Sequence, residues 1–176
     1  MLTIIVSAIA IVVVIVLIAA AVKPDNFRMQ RSIDIQAPPE KIFPLIDDFH
    51  QWAAWSPWER IDLAMKKQFS GAAAGNGAVY GWEGNSKVGT GRMEITESLP
   101  PSRVLIKLDF LKPFEAHNIA EFTLEEKGDA TTVTWVMHGP SPFISKLMSV
   151  FCSMDKLVGK DFETGLSSLK TAAEKR

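Results

Sequence analysis

The sequence predicts an α+β fold in which a curved antiparallel sheet wraps around a long C-terminal helix, preceded by one apolar N-terminal helix. Residues 2–22 are almost entirely aliphatic or small. Residues 66–138 alternate apolar and polar side chains between regularly spaced turn residues, and from Phe143 to Leu169 apolar residues recur every three or four positions. Period two is typical of half-buried strands and period 3.6 of an amphipathic helix, so the two apolar faces are expected to bury each other.

Length and charge restrict the functional classes. The chain has 176 residues, and the part after the apolar N-terminus matches one domain that can bury its own core. Lys and Arg number 19 against 20 Asp and Glu, so there is no basic excess to neutralise phosphates, and nucleic acid is not an expected partner. The single cysteine, Cys152, cannot form a disulfide within the chain.

The N-terminal run predicts a transmembrane anchor over residues 1–23. About 21 apolar residues at roughly 1.5 Å each span the ~30 Å hydrocarbon layer. A cleavable signal peptide would begin with Lys or Arg, and neither precedes this run, although Ala19–Ala21 could serve as a cleavage site. A cleaved leader and a buried core helix are the alternatives. Lys23, Arg28 and Arg31 follow the span and, by the positive-inside rule, place the domain in the cytoplasm.

Residues 24–176 are predicted to form the folded domain. Alternation over residues 27–36 predicts a first strand. The string Pro38-Pro39-Glu40 is compatible with a helix N-terminus, and this helix is expected to end near Asp48. Residues 49–58 predict another short helical turn stopped by the proline within it, and their three tryptophans either pack beneath the sheet or contact the membrane interface.

Six further strands are predicted between turns rich in glycine, proline and asparagine, with one face apolar throughout. These strands are Lys66–Ser70, Ala78–Glu83, Lys87–Leu99, Arg103–Leu111, Ala116–Glu126 and Ala130–His138. The closing helix runs from Phe143 to Leu169 and is expected to kink at Gly159.

The inward face of this sheet supplies the candidate ligand-binding residues. They are large apolar or aromatic side chains and two polar ones, namely Arg31, Tyr80, Trp82, Met93, Phe110, Asn118, Phe122, Trp135 and Met137. For each aromatic residue core packing is the alternative, but as a group they suit a cavity wall. Arg31 is compatible with snorkelling past the sheet edge, with a structural ion pair or with an anionic head group, and the Asn118 amide needs partners.

Patterns for phosphate binding, metal binding and hydrolysis are not evident. The glycine-rich segment Gly71–Gly77 precedes a strand instead of a helix, so it predicts a hairpin loop at the cavity mouth and not a phosphate cradle. His50, His117 and His138 lack the spacing of a zinc site, and no Gly-x-Ser-x-Gly elbow occurs. We therefore predict no metal, no cofactor and no catalytic residue.

Several strings resemble the polyketide cyclase/dehydrase-like branch of the START-like (SRPBCC) superfamily, and the resemblance extends from Phe27 to Lys170. The strings are Arg31–Phe43, Trp52–Trp58, Val88–Gly91 and Asp161–Leu166. The resemblance implies the helix-grip (START-like) fold, with a cavity between the sheet and the long helix that holds a hydrophobic or amphiphilic small molecule such as a lipid. An N-terminal membrane segment is known among such bacterial proteins, which implies a single-pass protein of the inner membrane.

Three functional hypotheses follow from these observations. The first, which we favour, is non-catalytic binding or carriage of a hydrophobic or amphiphilic small molecule at a membrane. The second is a cyclase or dehydratase-type enzyme, in which Arg31, Tyr80 or His117 would shift a proton. The third is an interaction module whose interior is filled by side chains. A cavity separates the first two hypotheses from the third.

Overall fold

In the computed structural model, the described residues are 1–151 and 153–175, so Cys152 and its predicted lack of a disulfide partner lie outside them. A helix is followed by a strand, a helix, two 3-10 turns, six strands and two helices. The helices are α1 Leu2–Ala21, α2 Pro39–Asp47, α3 Phe143–Phe151 and α4 Met154–Glu174, and the 3-10 turns are Phe49–Ala54 and Pro57–Arg60. The strands are β1 Asn26–Ile35, β2 Lys66–Gly71, β3 Ala78–Glu83, β4 Thr90–Leu99, β5 Arg103–Lys112, β6 Ala116–Lys127 and β7 Ala130–Pro140.

The seven strands form one antiparallel sheet in the order β1-β7-β6-β5-β4-β3-β2. The pairing register of β4 with β5 shifts between Thr90 and Gly91 and again between Ile95 and Glu97. Such irregularities bend a strand and increase its twist, so they curve the sheet. The predicted α+β class with a curved antiparallel sheet is confirmed.

Helix α4 lies against the inner face of the sheet through one apolar stripe. Its buried residues Phe162, Leu166, Leu169 and Ala173 are spaced by four, three and four positions, which places them on one helical face. The hydrophobic core is drawn from residues 29–173 of the domain. The sheet and α4 therefore bury each other, as the two periodicities predict.

The prediction of one closing helix kinked at Gly159 is wrong. Two helices, α3 and α4, replace it, and Ser153 caps the second by accepting a hydrogen bond from the Lys156 backbone N–H at 3.3 Å. Serine favours the N-cap position because its side chain satisfies a free N–H of the first turn, so it begins a new helix. Gly159 lies inside α4.

Two further differences in element boundaries have a clear physical reason. Strand β4 begins at Thr90 instead of Lys87, because the preceding residues form a turn in which the Gly84 N–H donates to the Gly89 carbonyl at 2.8 Å. Gly89 has a φ of +72°, a conformation that glycine adopts readily. Pro57 begins the second 3-10 turn and does not stop the first, since its fixed φ suits a helix start.

The tryptophan segment packs beneath the sheet and not against a membrane. Trp52 and Trp55 are buried, and their indole N–H groups donate to the carbonyls of Ile46 and Leu45 at 2.9 and 2.7 Å. Trp58 packs against the same core while partly buried. All three rings are therefore part of the domain interior.

Helix α1 stands apart from this core. Thr3–Ala21 is long and apolar enough to cross a membrane, by length and composition alone. Only Ala20 is buried among its described side chains, and α1 contacts α3. The connection to α1 is fixed by the Lys23 ammonium, which donates to the Ser149 carbonyl at 2.9 Å.

Candidate functional site

A cavity of about 250 Å³ lies between the inner face of the sheet, the two 3-10 turns and α4. Most of its lining is aromatic or aliphatic, and the polar exceptions are Ser56, Glu59, Tyr80 and Lys87. The lining residues are Trp52, Ser56, Trp58, Glu59, Met65, Tyr80, Trp82, Lys87, Val88, Met93, Leu108, Phe110, Ala120, Trp135, Met137, Val158 and Phe162. The alternation of β3 to β7 places their contributions on one face.

Trp135 forms the centre of one wall. Its ring stacks between Phe122 at 4.8 Å and Phe162 at 4.0 Å between centroids, and Trp58 meets it edge-on at 5.7 Å. The indole Nε1 is buried and has no hydrogen-bond partner among the described residues. An unsatisfied buried donor costs about 1–3 kcal/mol, so the packing of this indole carries a local free-energy cost.

Trp82 forms part of another wall because glycine lies opposite it. Trp82 pairs with Gly91 across β3 and β4, and a Cβ at Gly91 would lie 2.3 Å from Cζ2 of the indole. The absence of a side chain therefore lets the indole lie directly over β4. The Trp82 N–H donates to the Val88 carbonyl at 3.3 Å, which fixes the ring in this place.

A buried carboxylate provides the main polar group in the cavity wall. The Glu59 side chain is 8% exposed, and the Tyr80 hydroxyl donates to its Oε1 at 2.6 Å. Lys67, on the neighbouring edge strand β2, forms an ion pair with the other oxygen. Burying a carboxylate requires such partners, and together they hold Glu59 in one position at an otherwise apolar surface.

Tyr80 is a neutral donor in this cluster. Burial, the hydrogen bond to Glu59 and the charge of that carboxylate together raise the pKa of Tyr80 well above its usual range. Its hydroxyl thus stays protonated at physiological pH. A carboxylate with one neutral and one cationic donor can bind a hydroxyl or amine of a ligand, or accept a proton from it.

The cavity reaches the surface beside the β3–β4 turn. Lys87 in this turn is exposed and also lines the cavity. Because hairpins of an antiparallel sheet alternate between its two ends, the β3–β4 turn lies at the end where Asn26 of β1 pairs with Pro140 of β7. The cavity therefore opens at the end of the domain that is connected to α1.

The structure brings six of the nine predicted site residues together in the cavity wall. These six are Tyr80, Trp82, Met93, Phe110, Trp135 and Met137. Phe122 and Asn118 also face inward and are buried, but they lie outside the lining, Phe122 because it packs against the Trp135 ring.

Arg31 also lies outside the lining. Its guanidinium binds Asp155 at 2.6 Å and Glu163 at 2.8 Å, both on α4. These hydrogen bonds, first to Glu163 and then to Asp155, raise the pKa of Arg31. The guanidinium rests against Gly159, where a Cβ would lie 2.7 Å from its Nη2. Of the three interpretations given above, the structural ion pair describes this arrangement, which connects β1 to α4.

His117 and the glycine-rich loop both lie away from the cavity. His117 points to the outer face, where its Nδ1 meets Asp109 at 2.7 Å and its Nε2 meets Glu115 at 3.2 Å. The Asp109 hydrogen bond raises the pKa of His117. Gly71–Gly77 joins β2 to β3 at the end of the sheet opposite the cavity opening, so its predicted place at the cavity mouth is wrong.

Sequence reasoning missed Glu59, Lys67 and Phe162. Phe162 lies within the predicted closing helix, Phe143 to Leu169, but apolar periodicity does not distinguish a core residue from a residue that lines a cavity. Glu59 directly follows a segment with three tryptophans, and an acidic residue in such apolar surroundings was the available signal. Lys67 could not have been found, because only the register of β2 on β3 brings it to Glu59.

Comparisons with known proteins agree with this architecture. Residues 26–174 match the model of the family described as polyketide cyclase / dehydrase and lipid transport. No curated protein matches the chain.

Solved structures share the fold at low sequence identity. A protein from Chromobacterium violaceum is similar at a TM-score of 0.59 and 16% identity, over 87% of this chain and 100% of its own. The di-domain ARO/CYC protein BexL of the BE-7585A biosynthetic pathway is similar at a TM-score of 0.64 and 15% identity, over 90% of this chain and 53% of its own. A protein from Mycobacterium smegmatis is similar at a TM-score of 0.57 and 16% identity, over 82% of this chain and 88% of its own.

Proposed function

The chain belongs to the polyketide cyclase/dehydrase and lipid transport family, and on that premise we propose that it binds a hydrophobic or amphiphilic small molecule in the cavity without transforming it. The observation that carries this proposal is the cavity of about 250 Å³ with its largely aromatic and aliphatic lining. A cavity of this kind favours a ligand over a filled interior, since protein interiors normally leave few voids larger than a water molecule.

The cavity volume favours a compact ligand. It lies just below the roughly 300–1,000 Å³ of pockets that enclose drug-sized molecules. A single alkyl chain or a small fused-ring system fits such a volume better than a lipid with two chains. A polar end of the ligand would emerge beside Lys87, where the cavity reaches the surface.

The domain from residue 24 onward is proposed to work at a membrane to which residues 1–23 anchor it. Support comes from the apolar span of α1 and from the basic residues that follow it, which favour a cytoplasmic domain on a single-pass protein of the bacterial inner membrane. The cavity opening at the α1 end of the domain is consistent with exchange of an apolar ligand with that membrane.

An enzyme of cyclase or dehydratase type is the second candidate, and Glu59 is the observation that favours it. A buried carboxylate beside a neutral tyrosine hydroxyl in an apolar cavity has the composition of a general acid–base pair. Both Glu59 oxygens already have partners, however, so a reacting group would have to displace Tyr80 or Lys67. Binding without turnover is therefore the better supported function.

Ligand binding is tested with the fragment 24–176, whose core does not include α1 and which keeps the Asp25 partner of the buried Lys146. A fluorescent fatty acid and an anthraquinone are titrated separately, and energy transfer from tryptophan reports binding within the cavity. We expect saturable binding of at least one probe, recovered with unchanged mass after prolonged incubation. A changed mass would favour the enzyme, and the absence of binding by both probes to folded protein would favour an interaction module.

A further inference from the structure

Helix α3 is amphipathic, with an apolar side that no other part of the described domain covers. Phe143, Ile144, Met148 and Phe151 are 50, 61, 54 and 73% exposed. The opposite side holds Lys146, which is buried and forms an ion pair with Asp25 at 2.5 Å. A soluble protein rarely exposes a contiguous group of large apolar side chains, and where one does occur it marks a contact with a protein or a membrane.

The position of α3 beside α1 identifies the partner. The covered positions of α1 lie near its C-terminal end, where Val16 and Ala19 are partly buried and Ala20 is buried. Since α1 contacts α3, helix α3 lies along the last two turns of α1. In a helix that spans a bilayer with about 20 residues, the last turns lie at the boundary between acyl chains and head groups.

More apolar side chains lie at the same end of the domain. Leu111 and Phe114, in the β5–β6 hairpin, are 52 and 72% exposed. This hairpin belongs to the sheet end at which β1 leaves α1, because Phe110 pairs with Ala116 just before the turn. Leu157, 54% exposed, precedes the cavity-lining Val158 on α4. The exposed apolar surface and the cavity opening thus lie at the same end of the domain.

We propose that the lipid bilayer is the partner of this surface: α3, with Leu111, Phe114 and Leu157, lies in the head-group boundary of the membrane that α1 spans, and seats the cavity opening on it. Interfacial helices bury their apolar face about 5–10 Å into this boundary. The inference rests on the proposed membrane anchor. It adds a second, in-plane contact that fixes the orientation of the domain.

The test uses the full chain in vesicles of phosphatidylcholine and phosphatidylglycerol, with Cys152→Ser as the background. Single cysteines at Met148→Cys, Ile11→Cys and Leu99→Cys carry an environment-sensitive fluorophore. Ile11 is in the middle of α1. Leu99 is a matched control that is 50% exposed, against 54% for Met148, but lies at the opposite end of the sheet. Lipids with a nitroxide near the top or near the end of the acyl chain quench labels at the corresponding depth.

We expect the Met148 label to lose most of its emission with the shallow nitroxide, the Ile11 label with the deep nitroxide, and the Leu99 label with neither. If the Ile11 label is quenched but the Met148 label is quenched as little as the Leu99 label, the inference is overturned while the anchor remains intact. A blue-shifted but unquenched Met148 label would do the same and indicate cover by a second copy. An unquenched Ile11 label would overturn the anchor and the inference together. Ile144→Cys, at 61% exposure, repeats the measurement should Met148→Cys not fold.

Discussion

Replacing Ala120 with leucine should fill part of the cavity and weaken ligand binding without weakening the fold. Ala120 is 4% exposed and lines the cavity between Ile106 on β5 and Met137 on β7. A leucine side chain at this position would extend into the space that the ligand occupies. The substitution therefore tests the effect of cavity volume on ligand affinity while the cavity wall stays apolar.

The expected loss of affinity follows from the carbon atoms that the larger side chain displaces. Leucine carries three more carbons than alanine, and each buried methylene of a ligand contributes about 0.8 kcal/mol. Exclusion of three methylenes costs roughly 2.4 kcal/mol, which is about a 50-fold weaker Kd at ~1.4 kcal/mol per tenfold change. Shorter ligands that leave this part of the cavity empty should lose less.

Ala78→Leu is the matched control. Ala78 is 2% exposed, also lies on a strand and belongs to the hydrophobic core, but it does not line the cavity. A leucine there has no space to occupy, so overpacking should lower the free energy of unfolding by about 1–3 kcal/mol. In Ala120→Leu the free energy of unfolding should be unchanged or higher, because the new side chain is buried in a void.

The assay combines urea unfolding with titration of a fluorescent fatty acid into the fragment 24–176. The reasoning is refuted if Ala120→Leu binds the fatty acid as tightly as the wild type while remaining folded. It is equally refuted if Ala120→Leu is destabilised as much as Ala78→Leu, because the space beside Ala120 would then be too small for a ligand.

Three further predictions follow from the described contacts. The fragment beginning at Pro24, which keeps the Asp25 partner of Lys146, should be folded by circular dichroism, and an unfolded product would show that α1 belongs to the core. Tyr80→Phe removes the hydrogen bond to Glu59 and should lower the free energy of unfolding by about 1.5–3 kcal/mol in urea; no change would contradict a buried carboxylate that needs this donor. Asp109→Asn should lower the pKa of His117 measured by NMR. Because the folded-state pKa of His117 is raised, this pair stabilises the wild type below about pH 6.5, and the stabilisation is lost as the pH rises through the folded-state pKa. The dependence should be weaker in the variant, in which Glu115 alone still raises this pKa.

The order of elements could be predicted because apolar periodicity reflects which face of each element is buried. Strands β3 and β7, for example, have apolar residues at every second position, and their inward side chains Tyr80 and Trp135 both line the cavity. Boundaries were predicted less well where a single polar contact decides them. Ser153 begins a new helix within an unbroken apolar stripe, and Gly89 delays the start of β4.

The polar part of the site depends on contacts between distant residues, and these leave little trace in the sequence. Arg31 lies on the inward face of β1, but its partners are on α4, more than 120 residues later in the chain. Glu59 acquires its surroundings only when a 3-10 turn meets β2 and β3. An inward-facing position is therefore necessary for a cavity residue but not sufficient, since Phe122 also faces inward and is covered by its neighbours.

Photo-crosslinking with an alkyl amphiphile that carries a diazirine at the end of its chain tests most directly whether the cavity holds an apolar ligand. The full chain in membranes is irradiated with the probe, and the labelled peptides are mapped by mass spectrometry. Labels are expected on the cavity wall, at Trp135, Met137 and Phe162, and they should decrease in Ala120→Leu. Labels confined to the exposed faces of α1 and α3, and equal in both proteins, would contradict it.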